Sequence, residues 1–66
     1  MNLDEYDMDA MREDVVAHYY KKFNDSKSVE DEIEYVNVGW KSDYEIFDLA
    51  ISMGLDLSKY VKTKKH

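Results

Sequence analysis

Carboxylates dominate the residues of this chain that could do chemistry. Glu5, Asp9 and Glu13 are spaced i, i+4, i+8, which on one helix rising about 1.5 Å per residue would line their carboxylates along a ridge about 6 Å apart. Asp7 and Asp14 would occupy a neighbouring ridge. A second group, Glu30, Asp31, Glu32 and Glu34, is too dense to share one helix face and would surround its element. Like charges at this spacing cost an isolated helix about 0.2–0.5 kcal/mol per pair, offset in part near a helix N-terminus by the dipole. With phosphates about every 3.4 Å along each DNA strand, a rigid carboxylate row could imitate that charge pattern and occupy a basic, DNA-binding surface on another protein. The plainer alternative is a solvated acidic surface.

Other chemistries find little support. The chain has no cysteine and two histidines, His18 and His66, so nucleophilic catalysis lacks its usual partners. His18 lies one turn after Asp14 and one before Lys22, as expected of a surface pair. Asp7-x-Asp9 opens like a calcium loop, but no glycine stands at the sixth position and the twelfth is His18, not a bidentate Glu. Gly39 and Gly54, the two glycines, cannot build a phosphate-cradling loop. No catalysis, metal site or cofactor is expected.

Nine aromatic side chains are more than so small a core readily takes in. Tyr19, Phe23 and Phe47 fall on apolar stripes and are expected inside; Tyr6, Tyr20, Trp40 and Tyr44 lie off them or near helix ends. Trp40, beside Gly39, is expected to lid the core. Were it exposed, an aromatic anchor ringed by carboxylates, with Tyr44, would mark a partner contact.

The elements that must position these residues are helical. Met8, Met11, Val15, Tyr19 and Phe23, widened by Val16 and Tyr20, predict an amphipathic helix over Asp7 to Phe23, capped by Asp4 or Asp7. Asn24-Asp25-Ser26-Lys27-Ser28 is rich in turn formers and predicts a loop. Ser28-x-x-Asp31 predicts a capping box opening a second helix over 29 to 37, although Ile33 to Trp40 alternates enough to allow a short strand there. Ser42-x-x-Glu45 is the clearer capping box and opens a third helix, Asp43 to Met53, with Gly54 as its left-handed stop and Leu55 folding back. Asp56 or Ser58 would cap a closing turn through Tyr60 and Val61.

The fold class is thus mainly α: a bundle of three helices plus a short C-terminal turn, in one domain spanning residues 1–66. A chain this short buries only about 60% of its unfolded surface, so a partner or a second copy, as a homodimer, would supplement its core. Charge is uneven. Residues 1–58 carry fifteen acids against five bases, a charge of −10, and the tail 59–66 carries +4 from Lys59, Lys62, Lys64 and Lys65. Nucleic acid is therefore not expected on the acidic body. The acidic start Met1-Asn2-Leu3-Asp4-Glu5 and the lack of a long apolar run predict a cytoplasmic protein without a membrane segment. The excess of lysine over arginine points to an A+T-rich coding genome, that of a low-GC bacterium or its phage.

In general composition the chain resembles the small acidic proteins that phages and mobile elements use against host DNA-binding enzymes, which implies a non-enzymatic inhibitor or modulator acting on a basic protein surface. The stretch Ile46 to Val61 also resembles the helical half of a ribbon-helix-helix repressor. That resemblance implies a dimeric DNA-binding regulator, with a ribbon at Glu34, Asn37 and Val38 and with DNA contacts from Lys59, Lys62, Lys64 and Lys65.

Overall fold

The computed structural model describes residues 3–62. A 3-10 turn, Leu3–Glu5, leads into α1, Met8–Ser26; α2, Val29–Val38, and α3, Asp43–Ser52, follow, and a second 3-10 turn, Leu57–Tyr60, closes the chain. α1 is the spine against which both other helices pack. α2 runs antiparallel to it: Lys22 meets Asp31 and Glu34, while Arg12, nearly three turns earlier, meets Gly39 and Lys41. The molecule is elongated, 45 × 19 × 17 Å. No helix among the described residues is long and apolar enough to cross a membrane.

Capping sets the helix boundaries. The Asp7 carboxylate accepts the Ala10 N–H and starts α1. The helix runs on through Asn24, Asp25 and Ser26, which their turn-forming character assigned to a loop. It stops only at Lys27, whose left-handed φ of 56° turns its N–H back to the Phe23 carbonyl. The connection to α2 is therefore two residues, Lys27 and Ser28. Ser28 accepts the Asp31 N–H as predicted, but the reciprocal arm of the capping box is absent. The Ser28 N–H bonds to Ser26 Oγ, and that hydroxyl donates to the Asp31 carboxylate, so the last serine of α1 relays the contact.

Residues 33–38 are helical, and the strand alternative for 33–40 is not realised. At α3 both arms of the Ser42/Glu45 box form. Its end is a Schellman motif: Gly54, at φ 78°, donates to the Ile51 carbonyl and Leu55 to that of Ala50. Ser42→Ala is expected to cost about 1 kcal/mol in urea unfolding, the usual loss for an N-cap. The Ser42 N–H, aided by Lys41, holds the Glu45 carboxyl below its ordinary 4.5. A carboxyl lowered on folding stabilises above its unfolded value and stops doing so as pH falls through the lowered one. The stability that Glu45 contributes should therefore be largest at neutral pH and shrink in acid, a dependence that Glu45→Gln should remove and that Ser42→Ala, which keeps the backbone N–H, should largely retain.

The core is one cluster: Met11, Val15, Val38, Ile46 and Ala50 fully enclosed, with Leu3, Met8, Phe47 and Tyr60 nearly so. Each large side chain of this kind contributes about 1.5–3 kcal/mol by leaving water. Tyr19 and Phe23, expected inside, are half-buried at the rim. There Tyr35 stacks on Phe23 at 6.2 Å and tilts against Tyr20 at 5.4 Å.

The two ends of the described chain clasp each other. Tyr6 and Val61 form an antiparallel bridge, the Asp7 N–H donates to the Tyr60 carbonyl at 2.6 Å, and the Lys62 N–H to that of Glu5 at 2.8 Å. The Tyr6 ring meets Phe47 edge-on at 5.1 Å. Tyr60 is buried and its hydroxyl donates to the Asp14 carboxylate.

Candidate partner-binding surface

The fold breaks up the predicted acidic ridge. Glu5 lies in the 3-10 turn before the cap, off the helix that carries Asp9 and Glu13, so the three do not share one face. The Asp7 carboxylate is used as the cap and that of Asp14 receives the Tyr60 hydroxyl. Asp9 and Glu13 remain exposed, and neither forms an ion pair among the described residues. The structure adds acids from elsewhere. Asp4, Asp7 and Asp9 line a shallow depression together with Asp43 of α3, with Lys62 at its edge. From the sequence Asp4 is a candidate cap and Asp43 the start of a helix, neither a member of the ridge, because only the clasp and the α2–α3 turn bring them there.

The second acidic group divides as its density predicted. Asp31 faces inward, and the Ser26 hydroxyl, with help from Lys22 and Ser28, holds its carboxyl below the ordinary 3.8. Glu34 lies 3.9 Å from Lys22. Glu30 and Glu32 are exposed and form no ion pair among the described residues.

Trp40 is not a lid. It is 86% exposed in the turn between α2 and α3, and Tyr44, at the start of α3, is also exposed. Arg12 holds the turn in its place. Its guanidinium donates to the carbonyls of Lys41 at 2.6 Å and Gly39 at 3.3 Å, and to Asp43 Oδ1 at 2.7 Å. With the turn pinned from inside by polar bonds, the indole projects outward.

Val29, Ile33 and Val36 are likewise exposed on α2. Sequence reasoning assigned them to helical spacing without seeing that this face points away from the core. The signal was present: Tyr35 and Val38 lie on the opposite side of the helix and suffice to bind it to α1.

His18 does not meet a carboxylate. Its Nδ1 lies 3.0 Å from the Asp14 backbone carbonyl, to which it can only donate. Among the described residues no group of three or more His, Asp or Glu side chains is placed to hold a metal ion. The ribbon expected at Glu34, Asn37 and Val38 is helix, so the repressor resemblance loses its DNA-reading element. Lys59 and Lys62 are exposed; Lys64, Lys65 and His66 lie outside the described residues. Comparison of the chain with protein-family models, with curated proteins and with solved structures finds no match.

Proposed function

We propose that this chain is a non-enzymatic protein-binding module, an inhibitor or modulator that docks its carboxylates on a basic, DNA-binding surface of another protein. The observation that carries this reading is that Asp9, Glu13, Glu30 and Glu32 are exposed and form no ion pair among the described residues. Solubility alone is served by interleaved lysines, which would remove the like-charge penalty along α1 and α2. Unpaired carboxylates on rigid helices instead meet a basic surface without first breaking internal pairs, and they steer its approach.

The test changes those four acids together, Asp9→Asn with Glu13, Glu30 and Glu32→Gln. None serves a cap or a pair, and the relief of like-charge repulsion is set against the loss of the favourable dipole contact of Asp9, Glu30 and Glu32 in the first turns of their helices, so thermal unfolding should shift by only a few degrees. Pull-down from a low-GC bacterial lysate, followed by mass spectrometry, should recover basic DNA-binding proteins with the native chain. The variant should lose them, its affinity for a purified target falling at least about tenfold at low salt and the difference narrowing as salt rises. Equal recovery by native and variant chains would end this reading.

A further inference from the structure

α2 carries two apolar faces, and only one is used. Asp31, Tyr35 and Val38 turn toward α1, while Val29, Ile33 and Val36 lie along the opposite side, and Trp40, in the turn just past the helix, extends their four-three-four spacing, that of a coiled-coil seam. That outer seam is open along its length: Val29 is 68% exposed, Ile33 and Val36 each 53%, and Trp40 86%. Contiguous apolar side chains of this kind on a domain with so small a core are a cost unless something covers them.

We propose that the cover is a second copy of the same chain, docked α2 against α2 in antiparallel orientation about a two-fold axis passing between Ile33 and Val36. Three features converge on this occupant. The first is self-complementarity in size: the axis sets Ile33 against the second copy's Val36, and the small Val29 against its large Trp40. The second is charge. The acids Glu30 and Glu32 flank the seam at its N-terminal end, whereas Asn37 and, in the following turn, Gly39 flank its other end; Glu34 stands off the seam, 3.9 Å from Lys22 of α1.

Antiparallel pairing therefore places Glu30 beside the second copy's Asn37, whose amide can donate to it, and Glu32 beside its Gly39. Parallel pairing would put Glu30 of one copy beside Glu32 of the other, with like charges unrelieved. The third feature is area. An exposed Trp with three branched aliphatics offers roughly 500 Å² per copy, so a pair buries about 1,000 Å², the lower bound of a specific interface. An isologous contact of this kind closes on itself and stops at two copies.

This inference shares Glu30 and Glu32 with the charge-based function, and the two separate at Asp9 and Glu13 on α1, which take no part in the seam: Asp9→Asn with Glu13→Gln should leave the dimer intact. Sedimentation velocity of the full chain should show a concentration-dependent monomer–dimer equilibrium. Salt at about 0.5 M should leave the dimer intact or strengthen it, since it screens the repulsion between two chains of net charge −6. Ile33→Asp should raise the dimer dissociation constant at least about 30-fold, and Trp40→Ala about as much, with helical circular dichroism unchanged because neither side chain lies in the core.

Orientation can be read directly, since the chain has no cysteine of its own. Mixing Val29→Cys protein with Trp40→Cys protein under mild oxidation should give the mixed disulfide in preference to either like pair. A chain that stays monomeric at several hundred micromolar would overturn the proposal. A dimer indifferent to Ile33→Asp, or one that links Val29→Cys to itself, would equally overturn it.

Discussion

Tyr60→Ala is expected to leave the domain largely unfolded at room temperature. Removing a buried aromatic ring costs about 3–5 kcal/mol, and a domain of this length has a total stability of only about 3–10 kcal/mol. Tyr60 also supplies the hydroxyl bound to Asp14, on a ring that no other residue of the clasp can replace. Tyr60→Phe separates the two contributions. It keeps the ring and loses a hydrogen bond to a charged acceptor, so it should fold with a deficit of about 1.5–3 kcal/mol.

The same pair predicts an alkaline limit. Burial, and then the Asp14 carboxylate, pushes the Tyr60 hydroxyl up from 10.0 to about 12. Between those values the folded chain keeps a proton that the unfolded chain has released. Stability is therefore full below pH 10 and falls toward pH 12, by up to about 1.4 kcal/mol per pH unit for a single proton. Urea titrations from pH 8 to 12 should show this extra slope in the native chain and lack it in Tyr60→Phe. Equal slopes would mean that Tyr60 ionises as freely folded as unfolded.

Arg12→Ala should cost about 2–3 kcal/mol. The exposed ion pair with Asp43 is worth little by itself. Most of the loss comes from the two backbone carbonyls that would forfeit a charged donor behind the α2–α3 turn. Arg12→Lys should recover less than half, because one ammonium on a flexible stem cannot reproduce a planar fork that reaches two carbonyls and a carboxylate at once. Urea unfolding gives the size of both effects. Amide exchange at residues 39–43 should quicken in both variants, and a lysine variant as stable as the native chain would refute this account of the turn.

What was legible in the sequence was local. The stripe from Met8 to Val15, the Ser42/Glu45 box and the Gly54 stop each act within a turn or two, and the structure has each of them. α2 was ambiguous for a physical reason: Ile33, Val36, Tyr35 and Val38 belong to two opposite faces of one helix, and two apolar faces overlaid imitate the alternation of a strand. Asn24 to Ser26 were misassigned because propensity was weighed without the left-handed Lys27, which postpones the helix end past them. Arg12 was noticed only as a compositional oddity, since its acceptors stand 27 to 31 residues away. The acidic ridge failed at Glu5 because the clasp fixes Asp7 as the cap and the helix begins only at Met8, and that clasp depends on Tyr60 and Val61, far along the chain.

The clasp also has a meaning in time. The α1–α2 pair is joined by two residues and can zip from its turn as fast as helices grow, and with no proline in the chain no slow isomerisation delays it. Tyr6 and Val61, by contrast, must find each other across nearly the whole sequence, at the loop-closure cost such a span carries. Their bridge is therefore expected to be the last contact made and the first lost. How long a folded molecule persists is decided less by its helices than by the single hydrogen-bonded seam that holds its two ends together.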